Sequence, residues 1–209
     1  MLTEKNITEK NTAKINPQGM TKNNSTMQLI LTGLMMAMIV VATMLIIIPT
    51  PFTNGYIHLG DAMIFLSVLI LGWKRGAVAA GAGSALADLL IGYAVWAPWT
   101  LVIKGAMGAV MGLFILKAMR KPGKSILGVP VYQLLGMILA GIFMAAGYFV
   151  AGGLIYGNYI VSAMGIPWNI LQFGVGLMIA SILAAALYKT SAKTLFTYQP
   201  MTGTSHKKA

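Results

Sequence analysis

Apolar residues in this chain come in long, nearly unbroken runs rather than in the alternating or one-faced patterns of a soluble domain. The first extends from Met27 to Ile48 and stops at Pro49-Thr50-Pro51. At about 22 residues it is long enough to cross a hydrocarbon core of roughly 30 Å. A second, shorter run, Ala62 to Gly72, begins near Leu59 and ends at Trp73-Lys74-Arg75. Four more follow: Gly76 to Tyr93, Pro98 to Ala118, Val129 to Val150 and Pro167 to Tyr188. No period-two alternation is sustained, and no repeat relates the runs. The pattern predicts an all-α integral membrane protein, a bundle of six transmembrane helices over residues 27–190. A disordered basic tail over 1–26 precedes it, and a cytoplasmic C-terminal tail over 191–209 follows.

The polar residues between the runs divide unevenly. Lys5, Lys10, Lys14 and Lys22 lie in the N-terminal tail, and Lys74 and Arg75 follow the second run. Lys117, Arg120, Lys121 and Lys124 follow the fourth, and Lys189, Lys193, Lys207 and Lys208 follow the sixth. The other connectors, residues 49–60, 92–98 and 151–166, contain no Lys or Arg. Basic residues gather on the cytoplasmic side of membrane proteins, so both termini are expected in the cytoplasm. This bias accounts for the net charge of +11 without invoking nucleic acid. Composition agrees with a bilayer setting: 9% of residues are charged, against about 25% in soluble domains. The chain has no cysteine, which removes disulfides, thiolate nucleophiles and Cys-ligated metals from consideration. The N-terminal tail lacks the apolar stretch of a secretory signal, so no cleaved leader is expected.

Three ionisable groups stand within or beside apolar runs: Asp61, Asp88 and Lys104. Each costs roughly 2.5–3.5 kcal/mol at the centre of a membrane helix, so each is expected to be paired or used. Asp88 lies four residues before Gly92, roughly 6 Å below the outer end of its helix at 1.5 Å per residue. Lys104 lies six residues after Pro98, roughly 9 Å below the outer end of the next by the same rise. Both sit on glycine-lined faces, so the two are expected to neutralise one another, to contact a ligand, or both. Asp61 follows Gly60 at a helix start, where it either caps free backbone N–H groups or binds a ligand. Trp96, Trp99, Asn158, Tyr159, Trp168 and Asn169 join the same outer end, with Gln172 one turn below Asn169. Trp96, Trp99 and Trp168 also suit the aromatic belt at the interface. His58 reads as a loop residue rather than a metal ligand, because the other histidine, His206, is in the opposite tail. Everything polar or aromatic enough to recognise a small molecule collects on the outside.

Several chemistries are excluded. No Gly-x-x-x-x-Gly-Lys-Ser/Thr loop occurs to cradle ATP phosphates, and no His-Glu-x-x-His to hold a catalytic zinc. An uptake protein built this way draws its energy from a partner or an ion gradient, and no metal or cofactor is expected.

Tyr56-Ile57-His58-Leu59-Gly60-Asp61-Ala62, Gly83-Ser84-Ala85-Leu86-Ala87-Asp88-Leu89-Leu90, Gly92-Tyr93-Ala94-Val95-Trp96-Ala97-Pro98 and Ile103-Lys104-Gly105 carry a resemblance. The chain resembles the substrate-binding S component of an energy-coupling factor (ECF) transporter over roughly residues 27–190. It is most like the riboflavin, hydroxymethylpyrimidine and pyridoxine-type branch. The resemblance implies a bacterial membrane protein that captures a vitamin outside and works with a transmembrane coupling subunit and two cytoplasmic ATPases. The family's first helix docks on the coupling subunit through an Ala-x-x-x-Ala surface; Gly33 and Ala37 hold the matching positions here. Hydroxymethylpyrimidine or a pyridoxine-like compound is the favoured ligand, with riboflavin and pantothenate as alternatives. Two other classes stay open: a structural membrane protein without ligand, and an ion-driven secondary transporter with Asp88 as its proton site.

Overall fold

The computed structural model describes residues 25–199 except 52, 54, 120–123 and 127. The disorder expected over 1–26 therefore falls almost entirely outside the described residues. The chain is mostly helical, in the order α1 (Ser25–Leu45), β1 (Ile47–Pro49), β2 (Tyr56–His58), α2 (Gly60–Leu90), α3 (Ala97–Ala118), β3 (Ser125–Ile126), β4 (Val129–Pro130), α4 (Val131–Tyr156), α5 (Tyr159–Ala163) and α6 (Ile166–Tyr188). A 3-10 turn, Ser191–Leu195, closes the sequence of elements. Five helical stretches among the described residues are long and apolar enough to cross a membrane. The two small antiparallel pairs, β1 with β2 and β3 with β4, are additions to the expected all-helical pattern. Strands of two or three residues are too short to show a period.

The second and third apolar runs belong to one element, α2, which is interrupted at Gly72. That residue has φ 77° and ψ 178°, a conformation glycine adopts without the clash a Cβ would cause. The chain doubles back there: a Cβ placed on Gly76 would lie 2.8 Å from the Cα of Val68. In an unbroken helix those residues would be about 12 Å apart along the axis. The second half of α2 then packs antiparallel on α3. Gly81 lies against the backbone of Leu101 and Gly105, Gly108 against Ala77, and Gly112 against Trp73. Small residues at those crossings let the two backbones touch, which in lipid replaces the hydrophobic drive for helix association. Helix α1 covers α2 with a single stripe, Thr32, Met35, Ile39 and Thr43, spaced to share one helical face. Its other faces, including Leu29, Ile30, Leu34 and Val41, are exposed, as are Gly33 and Ala37.

The break at Gly72 leaves backbone groups without helical partners, and the segment after α6 supplies them. Thr197 N–H donates to the Ile70 carbonyl (3.1 Å) and Tyr198 N–H to that of Leu69 (3.2 Å). The Tyr198 hydroxyl accepts from Trp73 N–H at 3.2 Å and donates to the Gly112 carbonyl at 2.8 Å. Gln133 on α4 holds the Tyr198 carbonyl at 2.9 Å. Phe196 and Tyr198 are fully buried. Up to residue 199 this segment is thus a strap across the Gly72 end of the bundle rather than a free tail. Nothing in the sequence marks it, because the strap follows a polar Thr-Ser-Ala-Lys-Thr stretch and its partners are backbone groups freed by a break elsewhere.

Candidate functional site

At the other end of the bundle, the end of the second half of α2, the N-termini of α3 and α6 and the C-terminus of α4 surround a cavity. Its volume is about 620 Å³ including the open mouth. The β1–β2 hairpin and the short α5 lie over it. The hairpin is set by pairing of Ile47 with His58, Ile48 with Ile57 and Pro49 with Tyr56. It connects α1 to α2 and brings Tyr56, Ile57 and His58 to the wall.

Asp88 lines this wall. One of its oxygens, Oδ1, accepts the Tyr56 hydroxyl, and the Thr100 hydroxyl also interacts with the carboxylate. The other, Oδ2, is buried and meets no hydrogen-bond donor among the described residues. Burial first, and then the negative charge of Asp88, push the Tyr56 phenol far above its ordinary range, so it stays a neutral donor. Aromatic rings complete the enclosure. Tyr56 packs on Tyr93 at 4.6 Å between centroids and on His58 at 5.2 Å. Trp96 meets Tyr148 edge-on at 5.9 Å and Tyr156 at 6.0 Å. Tyr148 donates to Thr100 Oγ1 at 3.1 Å. Trp168 and Asn169, from the first turn of α6, line the far side with Ser162 of α5. The arrangement offers flat apolar faces for stacking and one carboxylate oxygen awaiting a donor.

Beneath the cavity lies an ion pair. Lys104 Nζ is 2.5 Å from Asp61 Oδ1, and both side chains are 0% exposed. Lys104 also contacts Met144 Sδ at 2.8 Å and lies 5.5 Å from the Tyr148 ring centroid. Asp61 Oδ2 accepts from Gln172 Nε2 at 3.0 Å, and Gln172 Oε1 accepts from the backbone N–H of His58 at 3.2 Å. His58 Nδ1 accepts from Gly60 N–H at 3.0 Å, which leaves the ring proton on Nε2. Burial, reinforced by Lys104 and opposed by Asp61, lowers the His58 pKa to about 4, so the imidazole is neutral at pH 7.

This corrects the expected pairing of Asp88 with Lys104. The direction in which each side chain leaves its helix axis decided the partner. Asp61 faces into the bundle, where Gly176 of α6 gives it room: a Cβ there would lie 2.8 Å from the Asp61 Cβ. It makes no capping bond at the start of α2; His58 performs that role. Of the other expected site residues, Trp96, Trp168, Asn169 and Gln172 line the cavity. Trp99 lies outside the lining, 36% exposed. Asn158 caps α5, accepting from Ile160 N–H at 2.9 Å and Val161 N–H at 3.3 Å. Tyr159 is half-exposed and packs on Phe149 at 5.6 Å. Tyr148, Tyr156 and Thr100 were missed. Tyr148 and Tyr156 lie eight residues apart on α4 and share a face, but the sequence divides them between an apolar run and the connector after it.

The family model for the "ECF-type riboflavin transporter, S component" matches residues 23–189. The chain belongs to that family. It is therefore an ECF S component, a multi-pass membrane protein of vitamin uptake rather than an enzyme. S components of this kind bind vitamins and associate with a coupling component and ATPases. The thiamine precursor transporter HmpT of Lactococcus lactis is 28% identical to this S component over 169 residues, 80% of this chain and 92% of that one. An uncharacterized protein of Pyrococcus woesei is 43% identical over 119 residues, 57% of this chain and 74% of that one. The fold is like that of a crystal structure of an S component for biotin, with TM-score 0.65 and 20% identity, covering 82% of this chain and 96% of that one. A second S-component structure gives TM-score 0.58 at 21% identity, over 78% of this chain and 96% of that one.

Proposed function

We propose that this S component captures a small heteroaromatic vitamin or precursor, with hydroxymethylpyrimidine favoured. The observation carrying this reading is Asp88, a buried carboxylate with one oxygen unsatisfied in an aromatic cavity. An aminopyrimidine presents an N–H edge that a carboxylate accepts while its flat face stacks on Trp96, Tyr148 or Trp168. A donor filling that oxygen gains a charge-assisted hydrogen bond away from water, worth about 1.5–3 kcal/mol. Likeness to the thiamine precursor transporter over most of both chains supports the same ligand class. Pantothenate loses its rationale, because the cation that would meet its carboxylate, Lys104, is already held by Asp61. Riboflavin is the second reading, favoured by the family description.

In this reading the cavity opens to the outside and both termini are cytoplasmic, supported by the basic residues near the Gly72 end, Lys74, Arg75, Lys117 and Lys124. The two halves of α2 then count separately, giving six membrane segments. The exposed Gly33–Ala37 face of α1 is the docking surface for a coupling subunit, which brings two ATPases to the complex. Calorimetric titration of the purified protein with hydroxymethylpyrimidine, pyridoxine, riboflavin and pantothenate tests the ligand. Tightest binding of hydroxymethylpyrimidine is expected; tighter riboflavin binding overturns that choice in favour of the second reading, and absence of binding by all four overturns both.

A further inference from the structure

We propose that Gln172 is a positioning residue that ties the β1–β2 hairpin to the buried Asp61–Lys104 pair and thereby sets how long a ligand stays in the cavity. The inference rests on the binding reading above. The two ends of the Gln172 amide are used differently. Nε2 donates to Asp61 Oδ2 at 3.0 Å, and Oε1 accepts the main-chain N–H of His58 at 3.2 Å. Reversing the amide would set oxygen against carboxylate and NH2 against N–H, so the carboxylate fixes its orientation. Lys104 in turn holds the carboxylate through the other oxygen, Oδ1. The chain of contacts thus runs from α3 through α2 and α6 to β2.

What β2 carries makes this tie matter. Two residues before His58, Tyr56 donates its hydroxyl to Asp88, whose second oxygen is the open acceptor of the cavity. The hairpin is held chiefly from its β2 side, where His58 also accepts from Gly60 N–H and Tyr56 packs on Tyr93. Its strands are three residues each, and β1 is exposed along its length. A hairpin that short is marginal by itself. One side-chain amide that anchors its backbone to a fully buried ion pair therefore has leverage on the cavity wall. Gln172 lines the cavity as Asn169 one turn earlier does, but both its amide atoms are spent on internal bonds.

The experiment uses a single cysteine, Ile48→Cys, in the otherwise cysteine-free full-length chain, spin-labelled to report hairpin mobility. Ile48 is exposed on β1 and does not line the cavity. Gln172→Met keeps length and volume and removes both hydrogen bonds. It is expected to increase label mobility without ligand, and to speed dissociation of radiolabelled hydroxymethylpyrimidine by roughly tenfold, the equivalent of one net hydrogen bond. Thr197→Val, at the far end of the bundle, is the control: it lowers thermal stability and leaves both hairpin mobility and dissociation unchanged. Gln172→Leu provides a second variant should the methionine form fail to fold. Unchanged label mobility in the folded Gln172 variant overturns the inference, as does an equal increase in Thr197→Val. Increased mobility in a protein whose wild type binds no hydroxymethylpyrimidine sustains the tether and sinks only the ligand assignment.

Discussion

Replacing Lys104 with methionine removes the cation held against a fully buried carboxylate. Asp61 keeps the Gln172 amide but loses its ion-pair partner, and the nearby His58 is neutral. Breaking a buried pair from one side costs about 3–5 kcal/mol, because the remaining charge is stranded in low dielectric. Asp61→Asn strands the ammonium instead, with Met144 Sδ and the Tyr148 ring as poor substitutes. Each single variant is therefore expected to lose about 3–5 kcal/mol. The double variant has neither charge of the pair, and the introduced amide still offers a carbonyl oxygen to Gln172. A neutral replacement of a buried pair is often near-neutral in stability, so most of the loss is recovered. The coupling energy then exceeds about 2 kcal/mol, well beyond the roughly 0.5 kcal/mol scatter of independent sites. Unfolding in detergent without ligand measures all four corners. A parallel cycle of Asp88→Asn with Lys104→Met is the internal comparison and is expected to be close to additive. Additive losses for Asp61 and Lys104, or the larger coupling in the Asp88 cycle, would refute the assignment.

The remaining predictions address the cavity, the strap and the docking face. Asp88→Asn retains an acceptor for the Tyr56 hydroxyl but loses the charge, so hydroxymethylpyrimidine affinity should fall by about one order of magnitude or more, read by titration, with little change in unfolding temperature. His58 has a folded pKa of about 4, below its ordinary value, so its contribution to stability is complete above about pH 6.5 and is lost as pH falls toward 4; unfolding between pH 7 and 4 should show a slope that His58→Asn reduces. Tyr198→Phe removes the hydroxyl shared by Trp73 N–H and the Gly112 carbonyl, and should cost about 1–3 kcal/mol by leaving buried backbone groups unpaired; an unchanged unfolding midpoint would mean that the strap is dispensable. Gly33→Leu meets open space within the chain, so it should leave unfolding and ligand affinity unchanged while weakening co-purification with a coupling subunit.

The apolar runs made most of the helices legible, because a membrane helix announces itself by length and composition in the sequence alone. They did not show that the short second run and the third are halves of one hairpin-like element. That depends on the φ of 77° at Gly72, and one glycine among 24 carries no visible mark of it. The strap was hidden for a related reason. Thr197 and Tyr198 satisfy carbonyls and an N–H freed by that same break, a demand arising more than a hundred residues away. That one end of the bundle gathers the polar and aromatic residues was legible from the absence of Lys and Arg in its connectors. The tyrosines of α4 were not, since Tyr148 lies in a run whose apolar content is already explained by lipid, and Tyr156 lies past Val150 in what the sequence presents as a connector.

The exchange of partners among Asp61, Asp88 and Lys104 shows where the boundary falls. Sequence spacing gives depth in the membrane, because helix rise is nearly constant. It does not give the direction in which each side chain leaves its axis, which depends on how neighbouring helices are rotated against one another. Asp61 was assigned mainly by its position at a helix start, where capping is the common fate of a carboxylate. In the fold, His58 takes the capping task with its ring nitrogen, and Asp61 is released to meet Lys104. That exchange leaves Asp88, held by Tyr56 on one oxygen, with the other oxygen unfilled in the cavity. If Asp88 had taken Lys104, the cavity would hold a neutralised pair and its open acceptor would be lost. The unexpected partner is therefore what gives Asp88 its place in the proposed binding site.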